Sequence, residues 1–333
     1  MKPVNTKIMK RKILSSAFAS TILILFFGFI FATCKKDKLD INNPPNPPDG
    51  GSFLSTQDFL NQHAVTSEYF NFDNANGGTF TSVKGSQIIV FPNTFAANGS
   101  IVTGNVTMEF KDIYHKSDMI LSQMPTTTIY DGILKSSGMF YIRVKQGTQA
   151  LNLAPGVAIH VKLPLDSNII DTAMAPFVLL PDSAGNGWGQ TAADSLNYIA
   201  GYYIYSLYNF SYPADSGTWC NSDNSTYFNN YTSTTFSAHA TDDPSLYGTQ
   251  VFMVFPGINA MVHIYGDYFI PDNFTYYYAP IGLNCTMLAI GVKDSNLYYS
   301  KQDFMIASNS IVNFSMTQTN ETDLISLINT LNN

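Results

Sequence analysis

Charged side chains are scarce in this chain of 333 residues. Asp, Glu, Lys and Arg make up 12% of it, about half of the roughly 25% that is usual in soluble domains. The formal net charge is −7, and no basic patch remains beyond the N-terminal segment. Proteins that bind nucleic acid through its phosphates need such a patch. The sequence therefore argues against a nucleic-acid partner.

Residue patterns that bind metals or carry catalysis are also missing. The chain has 5 histidines and 3 cysteines, and none of them stands in a CxxC, HExxH or HxH spacing. It has no G-x-S-x-G turn and no glycine loop of the phosphate-binding type. We therefore predict no metal, no cofactor and no enzymatic activity, although a β-sheet protein can assemble a carboxylate pair from distant strands.

The N-terminal segment has the order of a secretory signal. Basic residues within positions 2–12 precede an apolar run at 13–32, and Cys34 follows it. The segment resembles a bacterial lipoprotein signal, which implies removal of residues 1–33 and lipidation of Cys34. An uncleaved membrane anchor is the alternative. The charged residues at 35–37 resemble export signals of Bacteroidota lipoproteins, which implies a lipid-anchored protein of the outer membrane, facing the periplasm or the cell surface.

Residues 34–52 have the composition of a tether. They include the stretch INNPPNPPDGG, which offers almost nothing to bury and favours an extended, semi-rigid spacer. Such a spacer holds a folded ectodomain clear of the lipid headgroups, so the membrane is the first expected partner.

The rest of the chain favours β structure. It is rich in aromatic residues, with 20 Tyr and 24 Phe, which strands prefer. Residues 105–111, 140–145 and 157–163 alternate apolar and polar side chains with a period of two, and turn-forming Gly and Asn clusters separate them. These features are typical of half-buried antiparallel strands. We predict an all-β fold with two antiparallel β-sandwich domains.

The first of these domains resembles a known family. Gly85, Ile88, Val90, Pro92, Phe95, Gly99 and Gly104 follow the order of a ZU5-type β-sandwich, and Gly138 and Phe140 continue it. Residues 66–165 are thus similar to the ZU5-like domains of Bacteroidota envelope lipoproteins, and we predict that this domain spans 53–165. The resemblance implies tight turns at Gly85 and Gly104. Self-cleavage at a His-Phe-Ser step, known for some ZU5 relatives, is not carried over because the tripeptide is absent.

The second half predicts another sandwich. Residues 166–199 show little sustained periodicity and predict a linker, whereas residues 200–333 contain short apolar segments separated by turn residues, for which immunoglobulin-like topology is our leading expectation. A short amphipathic helix is predicted at the end, where Leu324, Leu327, Ile328 and Leu331 share one face after Thr322 and Asp323. Another short helix is predicted near 54–64, opened by a capping box of Ser55 and Asp58.

Two cysteines remain if Cys34 carries lipid. Cys220 and Cys285 form an even pair in an exported chain. A bridge between them would close a loop of roughly 65 residues and contribute about 4 kcal/mol to stability. Two unrelated thiols are the alternative, and the sequence leaves the choice open.

Other candidate sites lie in polar segments. Three Asp-Ser/Thr motifs resemble O-glycan acceptor sites of exported Bacteroidota proteins, with acceptors Thr172, Ser183 and Ser195; turn and capping chemistry at the Asp residues is the alternative. Segments 182–187 and 220–225 are rich in oxygen ligands that could form a calcium loop, but neither has the alternating acidic register of an EF-hand, and an ordinary polar turn is the alternative.

The tyrosines allow two interpretations, of which packing is the simpler. Tyr202, Tyr203, Tyr205, Tyr208 and Tyr212, and the run Tyr276–Tyr278, can offer rings to a sugar or a protein, or can simply pack in strands. We expect a membrane-anchored cell-envelope lipoprotein with a non-enzymatic binding or scaffolding role, whose partner is an unknown envelope protein or glycan. A glycan-binding accessory or glycan-acting enzyme is the alternative.

Overall fold

Antiparallel sheets dominate the fold. A computed structural model describes residues 53–164, 171–182, 185–199, 201–210, 217–243, 247–266 and 272–333. In these ranges the chain forms two packed β-sandwiches with a short helix at its end, which confirms the predicted all-β fold class. None of the helices found there is long and apolar enough to cross a lipid bilayer. The predicted signal, the lipidation site Cys34 and the tether lie outside the described residues.

The first sandwich is formed by the strands up to residue 224. In chain order they are β1 (Glu68–Asp73), β2 (Gly78–Thr81), β3 (Gln87–Val90), β4 (Phe95–Ala97), β5 (Ser100–Ile101), β6 (Asn105–Ile113), β7 (Lys135–Gln146), β8 (Gln149–Ala150), β9 (Asn152–Leu153), β10 (Ile159–Leu163), β11 (Ala175–Asp182), β12 (Gly185–Gln190), β13 (Ser195–Ile199), β14 (Tyr202–Leu207) and β15 (Thr218–Asn224). One sheet has the order β1-β6-β7-β15-β11-β12, with β8 beside β7, and the facing sheet has the order β13-β14-β10-β3-β2. A small sheet, β5-β4-β9, adjoins them.

The predicted alternation produces the core of this sandwich. Val106, Met108 and Phe110 of β6 are fully buried, and they share one hydrophobic cluster with the inward residues of β7, β10 and β14. The polar residues between them point away from this core. Period-two patterning thus placed the strands at 105–111, 140–145 and 157–163 correctly.

Strand pairing crosses the predicted linker. The described part of residues 166–199 contains β11, β12 and β13, and the next two strands, β14 and β15, lie beyond the predicted domain boundary. All five belong to the sheets of the first sandwich: β15 pairs with β7, and β14 pairs with β10. Local periodicity cannot reveal this arrangement, because the partners of β7 and β10 come from much later in the chain.

The second sandwich follows residue 230. Its strands are β16 (Ser233–Ala240), β17 (Gln250–Val254), β18 (Met261–Ile264), β19 (Asn273–Pro280), β20 (Asn284–Lys293), β21 (Asn296–Met305), β22 (Ser310–Phe314) and β23 (Thr317–Thr319). A sheet ordered β19-β16-β22 faces a sheet ordered β18-β17-β20-β21-β23. The pair β16 and β22 is parallel, whereas the other strand pairs in the described part of this sandwich are antiparallel.

A third hydrophobic cluster, here called the shared core, joins the two sandwiches. It combines Ile113, Met139 and Phe177 of the first sandwich with the outward residues of β17 and β20 of the second. Three helices complete it: α1 (Thr56–His63), α2 (Lys116–Leu121) and α3 (Glu321–Thr330). Because β20 is covered on both faces, its residues Cys285–Val292 are continuously buried.

The two predicted helices are present. Ser55 caps α1, its hydroxyl accepting a hydrogen bond from the Asp58 N–H at 3.0 Å. In α3 the side chain of Asn320, rather than Thr322 or Asp323, caps the first turn by accepting from Asp323 N at 2.9 Å. Leu324 and Ile328 are fully buried in the shared core, as their spacing predicts.

Candidate functional site

Exposed tyrosine rings gather at one edge of the second sandwich. Tyr277 is 64% exposed and Tyr265 is 56% exposed, and both line a groove between the edge strands β18 and β19. Large exposed aromatic side chains that share a concave surface indicate a binding site more than scattered ones do. We call this depression the tyrosine groove.

A β-bulge in β19 exposes two successive tyrosines. Thr234 of β16 pairs with Ala279, but the next registered pair is Phe236 with Tyr276, so β19 contributes one extra residue between them. A regular strand would send Tyr277 and Tyr278 to opposite faces. Here both are exposed while Tyr276 is buried. Bulges commonly re-aim side chains beside functional sites, so the distortion supports the choice of this groove.

A hairpin from the first sandwich forms the opposite wall. Its arms meet at a bridge between Thr127 and Ile133, and Thr127 and Thr128 line the groove together with Asp131. Tyr276 Oη donates a hydrogen bond to the Asp131 carbonyl. We call residues 126–134 the wall hairpin.

Both sandwiches hold the wall hairpin. Trp188 of β12 donates its backbone N–H to the Thr127 carbonyl at 2.9 Å, and its indole Nε1 donates to the Pro125 carbonyl at 2.8 Å. On the other side, Thr126 N donates to the Met261 carbonyl at 2.8 Å. The backbone of Gly187 runs so close that an added Cβ would lie 2.7 Å from Ile129. The wall is thus fixed on both sides.

His263 lies in the groove lining in contact with two aromatic rings. Its imidazole stacks on Phe252 with centroids 4.9 Å apart, and the centroid of the Tyr265 ring lies 4.4 Å away. Nε2 contacts Gln250 Oε1 at 2.7 Å. Burial lowers the pKa of His263 to about 4, so the ring is neutral at neutral pH and offers a hydrogen-bonding edge rather than a charge.

The groove combines apolar ring faces with hydroxyl, imidazole and carboxyl groups. Thr127, Thr128 and Thr275 contribute hydroxyls to its lining, and its volume is about 180 Å³. That is smaller than the roughly 300–1,000 Å³ of drug-sized sites, so it accommodates one small ring or side chain of a larger ligand. A second groove of about 360 Å³, between β21 and β22, has a lining dominated by polar residues such as Lys301, Gln302 and Asn313.

The predicted disulfide is not formed. Cys220 and Cys285 are both free and buried, and they lie in different hydrophobic clusters, one in each sandwich. The reason is topological: Cys220 belongs to β15, which completes the first sandwich, and Cys285 belongs to β20 of the second. Burial raises the pKa of both thiols well above the usual range, which keeps them unreactive in the folded state.

The predicted O-glycan acceptors have different surroundings. Thr172 is exposed in a turn, and Ser195 is half-buried at the start of β13; Ser183 lies outside the described residues. The carboxylate of Asp171 accepts from Ala173 N at 3.1 Å, and that of Asp194 accepts from Tyr208 N at 2.9 Å. The first is a local turn contact of the alternative interpretation, whereas the second joins residues 14 apart in the chain. The acceptor assignment stays a prediction.

The segment 220–225, weighed as a calcium loop, is mainly a buried strand. Asn221 and Asp223 are both 0% exposed within β15. Neither carboxylate oxygen of Asp223 has a hydrogen-bond partner among the described residues. Across the described ranges, no group of three or more His, Cys, Asp or Glu side chains is placed to hold a metal ion. The other segment, 182–187, lies partly outside those ranges.

The predicted tyrosines divide between core and surface. Tyr203 and Tyr205 are buried in the first sandwich, whereas Tyr202 and Tyr208 are partly exposed on it; Tyr212 lies outside the described residues. Of the run at 276–278, the last two residues are exposed. The sequence places His263 in a strand as a structural histidine, but it does not connect His263, Tyr265 and the wall hairpin in one site, because only strand pairing brings these segments together.

Comparison with known proteins identifies no relative: no protein-family model matches the chain, and neither does any curated protein.

Proposed function

We propose that this protein is a cell-envelope lipoprotein, anchored at Cys34, that binds a ligand through the tyrosine groove without transforming it. The observation that carries the binding role is the bulge in β19, which exposes both Tyr277 and Tyr278, and Tyr277 lines the groove together with Tyr265. The anchor follows from the basic and apolar N-terminal segment and the proline-rich tether. The ZU5-like assignment and the outer-membrane location belong to the same proposal.

The lining favours a glycan as the ligand. Sugar rings present apolar C–H faces and a rim of hydroxyls, and tyrosine offers a matching apolar face with a polar tip. Threonine hydroxyls and the neutral His263 can exchange hydrogen bonds with that rim. The groove volume suits a single sugar unit of a longer chain. A strongly anionic ligand is disfavoured, because the described lining includes Asp131 but no lysine or arginine.

Binding to an array of envelope polysaccharides, followed by calorimetry on the best ligand, tests this role. We expect Tyr277→Ala and Tyr265→Ala each to weaken binding by roughly 3- to 10-fold, as loss of one ring contact of about 0.5–1.5 kcal/mol implies. Tyr69→Ala is the matched control, because Tyr69 is 61% exposed on β1, outside the groove lining. Equal losses in all three variants, or no glycan bound at all, would refute the groove assignment. Release of shortened glycan products would refute the non-enzymatic role.

Metabolic labelling with a clickable fatty acid tests the anchor separately. Cys34→Ala should abolish acyl labelling and release the protein from the membrane fraction, because the thiol is the proposed attachment atom. Cys220→Ala should retain the label, since its thiol is buried in the first sandwich. Persistent labelling of Cys34→Ala contradicts the lipoprotein assignment and leaves the groove experiment unaffected.

A further inference from the structure

Three side chains with complementary chemistry meet at one end of the first sandwich. Lys135 is the first residue of β7 and Asn224 is the last residue of β15, and the two are direct partners in the register of these strands. Residues directly opposite each other in an antiparallel pair project from the same face of the sheet, with Cβ atoms about 4.5–5.5 Å apart. An amine and a carboxamide are thus neighbours.

Asp171 joins these two groups through its carboxylate. Lys135 Nζ lies 2.9 Å from Oδ2, and Asn224 Nδ2 donates to the same oxygen at 3.0 Å and to Oδ1 at 3.2 Å. Two nitrogens bound to one oxygen at these distances lie within about 6 Å of each other. The carboxylate therefore contacts both the amine and the amide nitrogen.

The facing sheet holds Asp171 in place. Its backbone N–H donates to Tyr203 Oη at 2.8 Å, and Tyr203 Oη donates to the Asp171 carbonyl at 2.8 Å. Tyr203 belongs to β14, while Lys135 and Asn224 belong to the opposite sheet. The backbone of Asp171 is thus anchored to a strand of the facing sheet, and its short side chain reaches Lys135 and Asn224 from there.

The amide carbonyl of Asn224 is polarised. Its Oδ1 accepts hydrogen bonds from Thr226 N and from Thr226 Oγ1, each at 2.8 Å. Donors in this position stabilise the negative charge that develops on oxygen when a nucleophile attacks the carbonyl carbon. Asn224 is only 5% exposed, and the Tyr227 ring lies 4.9 Å from Lys135 Nζ, so both groups are confined and partly shielded from water.

We infer that Lys135 and Asn224 form an intramolecular isopeptide bond, with Asp171 carrying protons between them. The lysine amine attacks Cγ of Asn224, a bond forms between Nζ and Cγ, and the bond from Cγ to Nδ2 breaks. The two protons that the lysine ammonium loses leave with Nδ2, so the by-product is one ammonium ion. No oxidant, reductant or further reactant is needed.

The ionised state of Asp171 suits this role. Burial raises its pKa, but hydrogen bonds from Asn224, Lys135 and the Ala173 N–H outweigh burial and hold the pKa of Asp171 below its usual range. At neutral pH the group is therefore a carboxylate, the form that accepts a proton from the ammonium group and passes it to the leaving nitrogen.

Mass spectrometry of the purified full-length protein tests the bond. We expect a mass about 17 Da below that of Lys135→Arg, after allowance for the substitution, because one NH₃ is lost. Digestion should yield a branched peptide that joins Lys135 to Asn224. Processing of the N-terminus changes the mass of both proteins equally, so it does not affect the difference between wild type and Lys135→Arg. Cyclisation of Asn224 alone also loses NH₃, but it needs no lysine and would therefore lower both masses.

Three variants sharpen the result. Asn224→Asp should give a loss of about 18 Da, because water replaces ammonia as the leaving group, and Asp171→Asn should leave the chain uncross-linked. Lys84→Arg should keep the full mass deficit, since Lys84 forms an ion pair with Asp118 at 2.7 Å that involves no carboxamide. Wild-type protein with an uncross-linked mass and no branched peptide overturns the inference, whether or not the variants fold.

Discussion

Asp223 is a buried acidic residue whose carboxyl group lacks a hydrogen-bond partner within the described ranges. It is 0% exposed, and both carboxylate oxygens are without a hydrogen-bond partner among the described residues. Ser136 lies opposite it in the register, but the single hydroxyl proton of Ser136 is donated to Asn221 Oδ1 at 2.8 Å. A buried unpaired carboxylate is strongly disfavoured, so the group takes up a proton instead.

This protonation makes stability depend on pH in an unusual direction. Burial raises the pKa of Asp223 well above its usual range, and the lowering effect of Ser136 is smaller. The folded state therefore keeps a proton that the unfolded chain, with a pKa near 3.9, has lost. The contribution of Asp223 to stability is complete below about pH 4 and declines as the pH rises.

Asp223→Asn should therefore stabilise the protein at neutral pH. We expect its free energy of unfolding to exceed that of the wild type by about 1–3 kcal/mol at pH 7, and the difference to shrink towards pH 4. Urea unfolding of both proteins at several pH values measures it. Asp303→Asn is a control that should lower, rather than raise, the free energy of unfolding at neutral pH, because hydrogen bonds from Lys301 and Thr286 lower the pKa of Asp303. A difference between wild type and Asp223→Asn that does not vary with pH would contradict the assignment.

Gly138 shows how one strand distortion depends on a residue type. Between the pairs Asn221–Met139 and Asp223–Ser136, β7 carries one residue more than β15. Gly138 lies in this bulge with φ +131, and an added Cβ would lie 2.4 Å from the Tyr114 ring. That ring cannot easily withdraw, because Tyr114 Oη contacts Ser86 Oγ at 2.5 Å. Both the backbone and the packing therefore require glycine here.

Gly138→Ala should destabilise the first sandwich by about 2–4 kcal/mol, the combined effect of backbone strain and overpacking. Gly156→Ala is a suitable comparison, because Gly156 also has a positive φ of +76 but nothing within 4 Å of an added Cβ. Gly156→Ala should lower the free energy of unfolding by only about 1–2 kcal/mol. Thermal unfolding by circular dichroism measures both, and equal losses would show that the Tyr114 contact contributes nothing.

Strands with one solvent face were predictable from period-two alternation, whereas doubly buried strands appeared in the sequence only as apolar segments without a period. Residues 105–111 alternate cleanly because only one face of this part of β6 meets a core. Residues 285–292 of β20 carry no such period, since the second sandwich covers one face and the shared core covers the other. The outward turn of both Tyr277 and Tyr278 depends on pairing with β16, which no local pattern records. The candidate site was therefore only partly visible in the sequence.

The shared core couples the two sandwiches energetically. It contains buried side chains from both of them and from α1, α2 and α3, so neither sandwich can unfold without exposing apolar surface of the other. The predicted boundary at 166–199 assumed two separate cores. Sequence composition gave no reason to expect a third, because its members are spread from Phe53 to Leu331.

Leu324→Ala should accordingly destabilise both sandwiches together, by about 2–5 kcal/mol for a fully buried leucine. The two free cysteines provide the measurement, since Cys220 lies in the first sandwich core and Cys285 in the second. Mass spectrometry across a urea series gives the urea concentration at which each thiol becomes half alkylated. In Leu324→Ala this midpoint should fall by the same amount for both thiols. Leu54→Ala, at a position that is 89% exposed, should leave the midpoints of both thiols unchanged. Separate midpoints for the two thiols would argue against coupling.

The parallel pair between β16 and β22 also dictates the order in which the protein can be completed. Phe236 of β16 lies opposite Ser310 of β22, and most of the second sandwich is threaded between them. A chain emerging from the ribosome or a translocation channel has every strand of the first sandwich available by residue 224. The backbone N–H and C=O groups on one edge of β16 must then remain unpaired until β22, in the last tenth of the polypeptide, has been made. Assembly is therefore sequential, and β16 is a segment that a chaperone has reason to protect while it waits for β22.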